Sequence, residues 1–411
     1  MARSTTGFAA VYPPPATRAG SVSRRHFVGV ATGLAATGFA PMPVLASAAT
    51  ERRLVVVLLR GGMDGLSAVP AVADPHWMSA RRALALPATG APGGALPLDG
   101  FFGLHPNLPQ LAVLYGQGQM AVVHAAATPY RDRSHFDGQN MLENGAERPY
   151  GLDSGWLNRA LALLPGSGKA LGVALNSHMP LLMRGAVPVT SWSPSLLPPP
   201  QRDTIDRLAA LYRHTDPALA MAFENALRGN ALAREPRTPA GGPFPNMMAA
   251  AARFLAAPLG ARVAMCELGG WDTHVNQMAP LGAFSRNLTQ LDQGIAALRD
   301  GLGPHWADTV VLVMSEFGRT VAPNGTQGSD HGVGGAAFLV GGAVKGGRVI
   351  ADWPGLAPAR LHEGRDLRPT TDLRSVAQGV LRDHLGIDAD RLDTVFPSQR
   401  PIVPVDGLVR S

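Results

Sequence analysis

At 411 residues, 46% hydrophobic and 16% charged, the chain has globular composition and is long enough for one large or two modest domains. Its net charge of +6 rests on scattered arginines without interleaved aromatics, which argues against a nucleic-acid partner. A lone cysteine, Cys266, excludes an internal disulfide, and 48 glycines with 36 prolines predict long loops on a smaller regular scaffold.

The first feature in chain order is an address. Ser23-Arg24-Arg25-His26-Phe27-Val28 leads into an apolar stretch, Val28 to Ala40, and then a small-x-small site, Ala46-Ser47-Ala48. This looks like a twin-arginine signal peptide over residues 1–48, cleaved after Ala48, with a single mature domain over 49–411. The apolar stretch is shorter than the roughly 20 residues that span a bilayer, so no stable membrane anchor is expected after cleavage. The expected partner during export is the twin-arginine translocase, and the expected location is the periplasm or the cell exterior.

Leu54 to Leu59 is a continuous apolar run, predicting a central strand that ends in Arg60-Gly61-Gly62-Met63-Asp64-Gly65. The glycines permit a tight backbone that exposes the Asp64 carboxylate, although Asp64 reads equally well as a turn-former. After a loop-rich stretch, Leu108 to Tyr115 has helical spacing and Met120 to His124 reads as a strand. That strand opens into a polar patch, Tyr130 to Gln139, where Ser134 reads either as a helix N-cap or as a nucleophile at a helix N-terminus. His135, beside it, reads as a ligand, a base or a filled core position, with the core or hydrogen-bonded reading first. Leu171 to Leu175 predicts a short strand, and Ser191 to Pro200 a rigid linker. Gln201 to Arg234 predicts an amphipathic helix, within a helical insertion or lid at about 195–258.

Arg262 to Leu268 returns to a strand, ended by Gly269-Gly270-Trp271-Asp272-Thr273-His274. Two residues apart on extended backbone, Asp272 and His274 face the same side and make a workable metal-ligand pair. Leu281 to Leu302 is an amphipathic helix crossing back to the β-branched run Val310 to Met314, which ends in Glu316 and Arg319. Asp330-His331-Gly332 then precedes a further apolar run, Ala336 to Val340, and Asp372 to Leu385 is a closing helix. The order predicts an α/β fold with a mostly parallel sheet sandwiched by helices, and in such sheets ligands collect beyond the carboxyl ends of the strands. Asp64, Asp272, His274, Glu316, Asp330 and His331 are therefore candidate ligands for one or two divalent ions. Mixed carboxylate and imidazole donors suit Zn²⁺ or Mn²⁺, whereas oxygen alone would suit Mg²⁺ or Ca²⁺.

RRHF in the leader, LLRGGMDGLS at 58–67, RSHFDGQ at 133–139, GGWDTH at 269–274, SEFGRT at 315–320 and GSDHG at 328–332 together carry a resemblance. The chain resembles the bacterial exported family of domain of unknown function 1501, which is similar to the alkaline phosphatase and sulfatase superfamily. The resemblance implies an alkaline-phosphatase-like sheet with a two-metal site at the strand ends. It implies Asp64 as the bridging acid, Ser134 as the nucleophile, and Asp272, His274 and His331 as one ion's ligands. Glu316 would bind the second ion with Asp64 and Ser134, and Asp330 would supply a missing ligand. Arg319 would hold the oxygens of a phosphate or sulfate, or else pair with Glu316. Where the superfamily usually has Asp-His, this chain has Glu316-Phe317. The implied function is an exported metal-dependent hydrolase of small anionic phosphate or sulfate esters, with a non-catalytic secreted binding or assembly protein as the alternative.

Overall fold

The computed structural model describes residues 6–12, 50–166, 171–195, 200–233, 241–258 and 260–410. Of the expected leader over residues 1–48 only Thr6–Tyr12 is among them; the twin-arginine motif and the expected cleavage site after Ala48 lie outside. The strands are β1 (Thr6–Tyr12), β2 (Arg53–Leu59), β3 (Leu96–Pro97), β4 (Gly103–Leu104), β5 (Met120–Ala127) and β6 (Gly172–Leu175). They continue with β7 (Val189–Ser195), β8 (Val263–Leu268), β9 (Thr309–Ser315), β10 (Gly335–Val340), β11 (Arg348–Ile350) and β12 (Thr371–Asp372). The helices up to the middle of the chain are α1 (Gly65–Ala68), α2 (Trp77–Arg81), α3 (Pro109–Gly116), α4 (His135–Asn144) and α5 (Trp156–Leu163). After them come α6 (Arg202–Thr215), α7 (Pro217–Ala233), α8 (Pro243–Ala256), α9 (Ala283–Leu302) and α10 (Leu373–Leu385).

One sheet runs in the order β1-β7-β6-β8-β2-β9-β10-β5-β11, with β12 also paired to β5. Its middle, from β7 through β9, is parallel. The side chains of β2 show why the run Leu54 to Leu59 is unbroken. Val55, Val57 and Leu59 enter the core under α3, α8 and α9, while Leu54, Val56 and Leu58 enter a second core under α5 and α10. A strand covered by helices on both faces has no solvent side to encode. Strand β10 is reversed, antiparallel to both β9 and β5, so its amino end lies at the same edge as the carboxyl ends of its neighbours. A ligand just before β10 and ligands just after β2, β5, β8 and β9 can therefore share one site.

Two expectations are corrected. The predicted linker at Ser191–Pro200 begins as the second half of β7, paired parallel to β6 through Trp192 and antiparallel to β1 through Ser195. Serine and proline disguised it, and Pro194 is tolerated because it lies beyond the β6 ladder, near the sheet's margin. The helical stretch expected from Gln201 is two helices: α6 stops at Thr215, and α7 restarts at Pro217 behind Asp216, whose carboxylate accepts the Leu219 N–H at 3.0 Å. No residue of α6 is buried, whereas α8 packs into the core through Phe244, Met248 and Leu255. Among the described residues no helix is long and apolar enough to cross a membrane.

Candidate metal centre

The loops beyond β2, β5, β8 and β9 and before β10 interlock at the sheet edge. Gly61 makes this possible: its φ is +120°, and a Cβ there would stand 2.6 Å from the Asp272 nitrogen. Arg319 is the buckle. Its Nε donates to the Gly62 carbonyl at 2.7 Å, Nη1 to Ser329 O at 3.1 Å, and Nη2 to the Gly61 and Trp271 carbonyls and to Asp272 Oδ1. Buried at 1% exposure with its guanidinium committed, Arg319 is not placed to hold a substrate oxyanion, and its carboxylate partner is Asp272 instead of Glu316. A five-donor planar group is suited to stitching several carbonyls at once.

Around this buckle three imidazoles turn their Nε2 atoms toward one another. His135 Nε2 lies 3.0 Å from His331 Nε2, and His274 Nε2 lies 3.2 Å from it on the other side. The Asp272 carboxylate closes the group, with Oδ1 2.8 Å from His274 Nε2 and 3.1 Å from His331 Nε2, and Oδ2 3.5 Å from His135 Nε2. Ligand atoms of His135, Asp272 and His331 all lie within 4.8 Å of one another, so these three could hold an ion, with His274 at the margin. Each ring is backed by an acceptor. His135 Nδ1–H donates to Glu316 Oε1 at 2.9 Å, His331 Nδ1–H to the Arg133 carbonyl at 2.9 Å, and His274 Nδ1–H to Asp330 Oδ1 at 3.1 Å. Arg133 aims that carbonyl from a left-handed conformation, φ +62°, unusual for a non-glycine residue.

The other predicted ligands take different places. Glu316 is 1% exposed and satisfied by His135, Gln139, the Gly61 N–H and the Ser315 hydroxyl, so it stands behind a ring and not at the ion. Asp330 likewise backs His274 while accepting from Asn324 at 3.0 Å. Asp64 is not brought to the group at all. Its Oδ2 takes Arg81, Ser67 and Gln277, and its Oδ1 caps α1 through the Leu66 and Ser67 N–H groups. Ser134 is the extended N-cap of α4, but its side chain makes no capping bond. Its N–H donates to the Tyr130 hydroxyl at 3.2 Å. Phe317, 4% exposed, sets its ring 4.8 Å from that of His135 and 5.1 Å from that of His331, an apolar floor where the resemblance implied a ligand.

Electrostatics follow the same division. Burial opposes the charge on Asp272, but the Arg319 guanidinium holds the carboxyl down to about 2. Burial also opposes the charge on Glu316, and hydrogen bonds from His135 and Gln139 keep it below its ordinary range. The Glu316 hydrogen bond raises His135, while burial and then the positive His135 lower His331. His135 is the member of the cluster that the sequence reading ranks as a core or hydrogen-bonded residue ahead of a ligand. Its signal was its place: the first helical residue of a polar patch that opens from a buried strand.

The C-terminal periplasmic domain of EcEptC from Escherichia coli, in complex with Zn, aligns at 13% identity over 72% of this chain and 76% of that one, TM-score 0.35. The lipoteichoic acid synthase LtaP from Listeria monocytogenes aligns at 10% identity over 84% and 75%, TM-score 0.35. TAB5 alkaline phosphatase, with Mg bound, aligns at 13% identity over 72% and 91%, TM-score 0.31. No curated protein matches the chain. The family model for proteins of unknown function DUF1501 matches residues 112–396, and the chain belongs to that family.

Proposed function

We propose that the chain is an exported metal-dependent hydrolase of phosphate or sulfate esters, working from a single-ion centre at the sheet edge. One observation carries the reading: three imidazoles converge by Nε2 on an aspartate while each Nδ1–H is held by an acceptor. That pattern fixes the tautomer in which Nε2 bears a lone pair, and lone pairs 3.0 and 3.2 Å apart repel unless a positive charge lies between them. A shared proton serves only two rings, whereas a divalent cation serves His135, His331 and the Asp272 carboxylate together, with His274 at its margin. The donor set of nitrogen with one carboxylate suits Zn²⁺ or Mn²⁺ better than Mg²⁺ or Ca²⁺.

Bound there, such an ion would acidify a neighbouring hydroxyl or water and polarise the ester. The chain's own residues do the rest. Glu316, Arg133 and Asp330 hold the ring orientations, and Phe317 keeps water off the inner side. Ser134, next to His135 and with its side chain not spent on the helix cap, offers the nucleophilic oxygen beside the Tyr130 phenol. The twin-arginine leader would deliver the folded protein to the periplasm or beyond.

Metal analysis of the purified protein, with turnover of aryl phosphate and aryl sulfate esters, tests the reading. Expected are a bound first-row ion and turnover that is lost in Ser134→Ala and on chelation. Failure to bind any ion, with no turnover on adding Zn²⁺ or Mn²⁺, overturns it. Tight metal binding without turnover would favour a secreted binding protein, a reading supported by Asp64 and Glu316 being committed elsewhere.

A further inference from the structure

Besides His135 on α4, the candidate ligands lie on two loops, 272–274 and 329–331, and behind both loops is a buried polar cluster that the proposed chemistry does not use. Asp64, Ser67, Arg81 and Gln277 are each exposed by 1% or less. The Gln277 carboxamide is fully engaged. Its Nε2 donates to Asp64 Oδ2 at 2.6 Å and to Ser67 Oγ at 2.9 Å, while its Oε1 accepts from Thr273 Oγ1 at 2.9 Å and from the Ser329 hydroxyl. Thr273 sits between Asp272 and His274, and Ser329 directly precedes Asp330 and His331. On the far side Asp64 is paired with Arg81 at 2.5 Å, and Arg81 Nη1 is anchored on the Thr320 and Val321 carbonyls at 3.1 and 2.9 Å.

We infer that Gln277 is a positioning residue for the metal centre, joining both ligand loops to the buried Asp64–Arg81 pair and so setting the separation of Asp272 from His331. The inference rests on the metal-centre reading above. A carboxamide is the one neutral side chain that offers two donors and two acceptors in a single plane. Asp64 can only accept, so the NH₂ must face it, and the oxygen is thereby turned to the two hydroxyls. A glutamate here would set a second carboxylate against Asp64, and an apolar side chain would leave buried groups on both loops without partners. Metal sites respond strongly to such slack, because affinity depends on all donors meeting at one point.

The test is calorimetric titration of Zn²⁺ into the metal-free full chain, well below the melting temperature of each variant. Gln277→Met is expected to weaken Zn²⁺ binding by about tenfold or more, and Ser329→Ala by about threefold. Asn158→Ala serves as the control for a merely structural role. It removes the buried hydrogen bonds by which Asn158, on α5, donates to the Met183 and Val187 carbonyls, and should lower the melting temperature without changing Zn²⁺ affinity. Wild-type affinity in Gln277→Met overturns the inference, as does equal weakening by Asn158→Ala. If Gln277→Met does not fold, Ser329→Ala decides, and unchanged affinity there overturns it. A wild-type chain that binds no Zn²⁺ or Mn²⁺ overturns the metal reading itself, and this inference with it.

Discussion

The chain carries one strand-end pattern twice. Gly61-Gly62-Met63-Asp64 follows β2 and Gly269-Gly270-Trp271-Asp272 follows β8, and these strands are parallel neighbours with Leu59 paired to Leu268. The fourth residue of each nevertheless has a different fate. Asp64 is 1% exposed and accepts from five donors, whereas the Asp272 side chain is 45% exposed and leaves one oxygen toward His135. Both face an arginine at 2.5 Å, but Arg81 comes from α2 and buries its acid, while Arg319 comes from the neighbouring loop and spends most of its donors on carbonyls. Local sequence brings a carboxylate to the sheet edge. Its role is settled by which distant arginine meets it, and how completely.

The largest expected effect tests the buried member. Arg81→Met strands the Asp64 charge and should cost about 3–5 kcal/mol of folding stability, read by urea unfolding. Mild acid should leave both members alone and still destabilise the chain. Asp272 sits at about 2 and Asp64 is held low against the cost of burial, chiefly by Arg81, whereas burial lowers His124 from 6.5 to about 4. His124 Nδ1 already accepts the Ala125 N–H at 2.8 Å, so protonation breaks a bond as well as burying a charge. A lowered imidazole favours the folded state fully above the unfolded pKa and loses that contribution as pH falls. Stability should decline between pH 6.5 and 4, by on the order of 3 kcal/mol for His124 once fully protonated, followed by thermal melts across that range.

Asp272→Asn should invert the Arg81 result. The amide oxygen still accepts from Arg319, so metal-free stability should move by less than about 1 kcal/mol while Zn²⁺ affinity falls by roughly a hundredfold, measured by calorimetry. The smallest effect belongs to Glu316→Gln, which keeps an acceptor for His135 without the charge. It should weaken Zn²⁺ by about tenfold. A folding defect in Asp272→Asn as large as that in Arg81→Met would erase the distinction between the two acids.

Much of the sheet could be read in advance because Leu54 to Leu59 in β2 and Val310 to Met314 in β9 are continuous apolar runs, the signature of strands covered on both faces, and β8 is apolar but for Glu267. Strand β7 could not, since Ser191, Ser193 and Pro194 carry no such signature and the segment is ordered by its ladders to β6 and β1. The candidate ligands Asp272 and His331 were visible as polar residues at strand ends. Asp64 looked equivalent until Arg81 was seen beside it, a pairing across 17 residues that no local pattern announces. His135 needed the opposite correction: only the approach of His331 across the sheet edge distinguishes it from any hydrogen-bonded helix-start histidine.

The reversed strand β10 also has a kinetic consequence. Because His331 precedes β10 and His135 follows β5, the two rings that meet at 3.0 Å are 196 residues apart in sequence. They can meet only after β9, β10 and β5 have zipped together, and contacts this distant in sequence are among the slowest to form. In refolding from denaturant, helical signal should therefore appear before any capacity to capture Zn²⁺, so the ion would report completion of the sheet and not its nucleation.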